Sequence, residues 1–239
     1  MPEDSLKTSR KGLSLYLPTP ASTPDQAPLG QAALTDLLPA RPFDPAATGF
    51  ALASLPRERE GPVLWVQDRA SRQENGQVYM PSLKAFGVTR PVLQIMVNHP
   101  RDVLWAMEEG ATCSALSAVI GEVYGAPKVL SFTATKRLAL RSEASGVPVF
   151  MIRAGDPGTL SAARARWRVG SLPSTTNPDN RQAPGAARWD AELFRARGRA
   201  PGRWVAEYER DTSNGLRFLP RADDGALAQG DQHLSHRAG

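Results

Sequence analysis

The side chains in this chain best suited to recognition chemistry are arginines set two residues apart. Arg164, Arg166 and Arg168 alternate in ARARWRV, so on a strand all three leave one face and Trp167 leaves the other. Arg195, Arg197 and Arg199 repeat that spacing beside a Gly-containing turn, and two such rows on neighbouring strands would make a basic ridge. Lys136, Arg137 and Arg141 can share one face of a helix, although a solvated face opposite an apolar stripe has the same pattern. A guanidinium is a planar fork of donors that fits phosphate and carboxylate. The rows therefore suit single-stranded DNA or an acidic protein partner, and plain solvent exposure explains them equally well. If they track the backbone of duplex DNA, each phosphate neutralised adds about 0.9 to the salt slope.

The bias towards arginine is regional. Residues 1–120 carry 11 Lys plus Arg against 12 acids, whereas residues 121–239 carry 18 against 12, and 16 of those 18 are Arg. A phosphate-gripping loop is missing from the place where one would serve. A Walker A loop needs spaced glycines, a Lys and a Ser or Thr. Between Leu34 and Gly49 the chain reads TDLLPARPFDPAATG, with no Lys and with Pro39, Pro42 and Pro45 removing backbone donors. Other chemistries lack their residues too. His99, His233 and His236 are scattered, and no CxxC, HExxH or GxSxG pattern occurs. We expect no metal, no cofactor and no enzymatic turnover. Cys113 has no His neighbour and is expected to act as a small buried or half-buried hydrophobe. A single cysteine, no signal-peptide pattern and no apolar run near 18 residues point to a cytoplasmic protein without a membrane span.

The elements that must hold these residues follow from hydrophobic patterning. Residues 1–28 end in LPTPASTPDQAP and read as a flexible leader with one short apolar island, LSLYL. AALTDLL predicts a first strand and Ala46 to Leu55 a first helix. Pro62 to Val66, Val92 to Val97, Leu116 to Val123 and Val147 to Ile152 are compact apolar runs of buried-strand length. Between them lie a loop, SRQENGQ, a short helix ending at Gly87, a helix opened by Pro100 and an amphipathic helix from Thr133 to Ser145 stopped by Gly146. This alternation predicts an open, mostly parallel sheet with helices on both faces, spanning residues 29–153. From 154 to 220, extended segments separated by Gly and Pro turns predict antiparallel strands added to that sheet. Residues 221–239 are polar and read as a disordered tail. Trp65 and Trp105 lie in apolar patterns and are expected in the core.

The stretch VYMPSLKAFGVTRPVLQIMVNHPRDVLWAMEEGATCSALSAVIGEV resembles the RecA core. GPVLWV, LWAMEEG, AVIGEV, KRLALRSEASGV, RWRV, RWDAELFRARG and GRWVAEYE together resemble the ImuA family, degenerate RecA-like proteins of bacteria, over about residues 29–219. That resemblance implies a RecA-like α/β domain with a degenerate phosphate loop. It implies a part in the SOS response: assembling or regulating a translesion-synthesis complex with an ImuB-like protein and an error-prone C-family DNA polymerase. It also places Asp68 near the RecA catalytic acid and Glu122 beside the Walker B position, where Gly121 stands. Two other readings stay open at this point, an atypical ATPase using Asp68 and Glu122, and a SulA-like inhibitor of cell division.

Overall fold

A computed structural model describes Leu29 and residues 31–210 and 215–221. The expected leader lies outside the described residues, as does the expected tail apart from Arg221. The chain runs β1 (Leu34–Pro39), α1 (Ala46–Ala53), β2 (Val63–Asp68), α2 (Arg69–Asn75), a 3₁₀ helix (Met80–Phe86), β3 (Val92–Val97), α3 (Pro100–Thr112), β4 (Ala118–Tyr124), α4 (Phe132–Ser145) and β5 (Val149–Ala154). Four strands complete it: β6 (Ala165–Leu172), β7 (Arg188–Ala196), β8 (Gly202–Tyr208) and β9 (Leu216–Pro220). Local signals explain several boundaries. Ser131 caps α4 by accepting from the Ala134 amide at 3.3 Å, and Gly146 ends the helix in the left-handed region at φ 77°. Gly87 does the same for the 3₁₀ helix at φ 71°.

All nine strands form one sheet in the order β3-β2-β4-β5-β1-β6-β7-β8-β9. The pairs from β3 through β6 are parallel and those from β6 through β9 are antiparallel. β6 therefore belongs to both halves: it runs parallel to β1, with Asp36 beside Arg166 and Leu37 beside Trp167. Antiparallel pairing was expected from residue 154 onward, and it begins one strand later. The expected loop SRQENGQ also differs, because most of it is α2. Asp68 accepts the Ser71 amide at 2.7 Å and so supplies the cap that starts that helix.

Helices cover both faces of the parallel part. On one face Leu64, Val66, Val119, Val149 and Met151 pack under α3 and α4. α3 lies close to the strands: a Cβ added at Gly121 would fall 2.0 Å from Met107 Sδ, and one at Gly110 would fall 2.4 Å from Leu64 Cδ2. On the other face Trp65, Ile120, Phe150 and Ile152 pack with α1, and the core runs on into the meander through Trp167, Trp189 and Trp204. Phe50 on α1 is the hub there, with its ring centroid 5.5 Å from Trp167, 6.0 Å from Trp189 and 6.3 Å from Phe218. Trp65 is in the core as expected, but Trp105 is 66% exposed on the outer side of α3, and Cys113 is exposed just past its end. The helical period that buries Val103, Leu104 and Met107 leaves position 105 facing outward.

Removing the Phe50 ring should destabilise the whole domain, since it joins α1 to both halves of the sheet. We expect Phe50→Ala to cost about 3–5 kcal/mol, which for a chain of this size lowers Tm by roughly 6–20 °C. A melt by calorimetry with a smaller change than that would mean the cluster does not couple the two halves.

Candidate functional site

In parallel sheets flanked by helices, ligands bind at the carboxyl ends of the strands, and that is where this protein has a cleft of about 360 Å³. Its walls come from the end of β1 (Pro39), the loop into α1 (Phe43, Asp44, Pro45), the end of β2 (Gln67), the end of α2 (Glu74, Asn75) and the end of β4 (Glu122). Ser171 and Trp189 close one side, and Tyr79 and Phe86 another. A helix N-terminus attracts anions, yet here the chain supplies its own. Asp44 accepts from the Ala46 amide at 2.9 Å, and from the Ser171 amide at 2.9 Å and hydroxyl at 2.5 Å. Burial pushes the Asp44 carboxyl up, but these hydrogen bonds and the charge of Arg41 outweigh it and hold the group below its ordinary value. Pro45 at the helix start has no N–H to offer and makes no side-chain cap. Phe43 sits at the tip of the loop with φ 58° and is 69% exposed.

Glu122 forms part of the floor. The pleat turns Gly121 towards α3, where Met107 packs closely against it, and Glu122 towards the cleft. Trp65 Nε1 donates to Glu122 Oε1 at 2.7 Å. Burial pushes the Glu122 carboxyl up to about 7; hydrogen bonds from Trp65, Gln67 and Asn75 pull the other way, and the Asp68 charge adds to the rise. Asp68 itself is buried and committed to capping α2. The two acids that the RecA resemblance singles out are thus both buried and both tied to neighbours, Asp68 to a helix start and Glu122 to an indole. Gln67, between the strand core and the cleft, donates from Nε2 to the Gly76 carbonyl at 3.2 Å, while its Oε1 has no partner among the described residues.

The basic rows fare differently from their reading as one face. Arg166 and Arg168 do share a face, each with its guanidinium 5.0 Å from the Phe194 ring, and Trp167 lies opposite in the core. Arg166, however, is buried: its Nε donates to Asp36 Oδ2 at 3.1 Å and its Nη2 to the Thr159 carbonyl at 2.9 Å. Arg168 pairs with Glu192 at 3.0 Å and Arg164 with Glu143 at 2.7 Å. β6 and β7 are neighbours, with Arg166 opposite Arg195 at a bulge, so the two rows meet, but internal carboxylates have taken all three arginines of the first. Arg195 and Arg197 are exposed and Arg199 is half-buried. On α4, Arg137 reaches Glu108 of α3 at 2.9 Å and Arg141 reaches it at 3.6 Å, while Lys136 is exposed. These two arginines bind helix to helix.

Sequence reading missed Asp36 and Arg153. Arg153 is fully buried and donates to Asp36 Oδ2 at 2.7 Å, Asp156 Oδ2 at 2.8 Å and Thr159 Oγ1 at 2.6 Å. The available signal was Arg153 directly after the apolar run VFMI and Asp36 inside LTDLL, charges where a strand has no solvent side. Among the described residues no group of three His, Cys, Asp or Glu could hold a metal ion, and no helix is long and apolar enough to cross a membrane. No protein-family model matches this chain, and no curated protein matches it.

Glu122 makes stability depend on pH. The folded protein keeps this proton up to about pH 7 and the unfolded chain loses it near 4.5. Between those values the native state binds more protons, so stability falls as pH rises through the window and stays lower above it. Glu122→Gln keeps an acceptor for Trp65 and removes the ionisation. We expect it to be more stable than the wild type at pH 8, by up to about 3 kcal/mol, with the gap shrinking towards pH 5. Thermal melts across that range read the effect directly, and a gap that does not change with pH would refute it.

Proposed function

We propose that this chain is a non-hydrolytic, RecA-like accessory protein of SOS-induced, error-prone translesion DNA synthesis, which assembles or regulates a complex of an ImuB-like protein and a C-family DNA polymerase. Two things support the reading. One is the set of ImuA-like motifs from GPVLWV to GRWVAEYE, laid out on a parallel sheet flanked by helices. The other, which carries the non-hydrolytic part, is the chemistry of the cleft at the head of α1.

Phosphoryl transfer is catalysed by positioning and by positive charge, from Lys, Arg, metal ions and backbone N–H groups around the phosphates. Here the charged residues lining the cleft are the acids Asp44 and Glu74, Glu122 in the floor keeps its proton up to about pH 7, and no Lys or Arg is in the lining. The Ala46 amide is taken by Asp44, and the Gly49 amide by the Pro45 carbonyl at 3.0 Å. A triphosphate would meet like charge and few free donors. The ATPase reading would also need Asp68 and Glu122 open to order a metal and a water; both are buried, with one oxygen of Asp68 capping α2 and one of Glu122 taken by Trp65.

Mg-ATP should leave Tm unchanged. A nucleotide at a hundred times its dissociation constant would add about 2.7 kcal/mol, which is several degrees and easily seen. Co-purification of the ImuB-like protein and the polymerase with this chain is the expected positive result; a clear nucleotide shift with no co-purification would overturn the proposal.

Contact with single-stranded DNA, if it adds to this role, falls to the exposed members of the second arginine row. Replacing Arg195 and Arg197 by Ala should reduce the salt slope of binding by about 0.7 for each phosphate left without its arginine. Arg166→Ala is the wrong probe, because leaving Asp36 without this partner should cost about 3–5 kcal/mol. An unaltered slope in the Arg195 and Arg197 variant would remove these residues from any DNA surface.

A further inference from the structure

Stripped of phosphate chemistry, the cleft at the head of α1 is not featureless. Asp44 stands at its mouth and Glu74 on its rim, so the field inside is negative. Arg41, whose charge also acts on Asp44, is exposed and is not part of the lining. The floor adds acceptors. Gln67 is 2% exposed and its Oε1 has no hydrogen-bond partner among the described residues, and beside it in the lining is the carboxyl of Glu122. A buried acceptor without a donor is destabilising, and a ligand that supplies the donor removes that cost. The walls are apolar and aromatic, and Phe43 and Tyr79 are 69% and 70% exposed at the entrance. Exposed rings held around negative charge are the arrangement that binds cations over an aromatic face.

We infer that this cleft receives an arginine side chain from a partner polypeptide. The match is made part by part. An arginine carries an apolar stem, which suits walls built from Pro45, Leu52 and Tyr79. Its guanidinium is weakly hydrated, stacks on aromatic faces and has only donors. The cleft floor has one buried acceptor lacking a donor, Gln67 Oε1, and Asp44 and Glu74 balance the incoming charge. Phosphate or carboxylate groups have the wrong sign, and a purely apolar side chain would bury Gln67 without satisfying it. The volume, about 360 Å³, admits one long side chain with neighbouring backbone but not a folded element. This inference names the kind of partner contact that the adaptor reading calls for, and so rests on the cleft not being a nucleotide site.

The test uses the full chain, isotope-labelled, and three probes observed by NMR: acetyl-Gly-Arg-Gly-amide, the same peptide with neutral citrulline in place of arginine, and Mg-ATP. A single side chain bound in this way should half-saturate in the millimolar range, where affinity is worth about 4 kcal/mol. We expect the arginine peptide to shift the Gly76 and Ser171 amides and the Trp65 indole, with the citrulline peptide at least tenfold weaker. Asp44→Asn together with Glu74→Gln should weaken the arginine peptide at least tenfold without lowering Tm by more than a few degrees. Equal shifts from arginine and citrulline peptides, or none from either up to about 10 mM, would overturn the inference while leaving the adaptor reading intact. Saturable shifts of the same signals by Mg-ATP would overturn both.

Discussion

A buried carboxylate between two guanidiniums fixes how this sheet is assembled. Asp36 on β1 accepts from Arg153 on β5 and from Arg166 on β6 through the same oxygen, at 2.7 and 3.1 Å. Each of the three side chains is at most 3% exposed. A buried arginine without its counter-charge costs several kcal/mol, so β5 and β6 must flank β1 if the chain is to fold at all. Asp156 and Thr159 complete the set by binding Arg153 from the loop that leads to β6. That loop is thereby drawn over the sheet, and β6 is delivered parallel to β1 before the chain turns back into the meander. Two acids and two arginines cancel, leaving the centre of the sheet neutral.

The cleft follows from that order. With β1 held between β5 and β6, the loop from Pro39 to Ala46 rises at the carboxyl edge next to β4 and β2, where Glu122 and Gln67 end the apolar part of their strands. Geometry of this kind gives many α/β proteins a phosphate site. Here the same position has been filled by an internal carboxylate, Asp44, bound to the helix amide and to Ser171. The charge at that position is negative. A platform that recognises cationic groups on another protein is a coherent use of such a scaffold, and it asks nothing of the chemistry that the missing Lys and glycines would have provided.

The aromatic face has a separate role. Phe50, Trp167, Trp204 and Phe218 meet in tilted, stacked and edge-on pairs from α1 across β6, β8 and β9, and Trp189 and Phe86 extend the cluster to the cleft wall. The meander is therefore no loose appendage. Its core is continuous with that under α1, so loosened packing in either half should be felt in the other and in the cleft between them.

Much of this was legible in the chain alone. The apolar runs at Val63, Val92, Ala118 and Val149 predict parallel strands, and each is one; the prolines at 39, 42 and 45 predict a loop poor in donors, and it is one. These features depend on composition and on spacing of a few residues, which is local information. Three of these strands nevertheless run on past the apolar limit, into Gln67, Asp68, Tyr124 and Arg153, and Arg153 stays buried because a distant carboxylate, Asp36, satisfies it. The arginines show the same limit more sharply. Alternation in ARARWRV sets which side each faces, but whether a guanidinium there meets solvent, DNA or a carboxylate depends on distant residues, as in the contact of Arg166 with Asp36, 130 positions away. Short-range pattern determined the elements and the absence of a Lys between Leu34 and Gly49; only the folded chain decided which charges were left exposed, because ion pairing is a property of proximity in space and leaves almost no trace along the sequence.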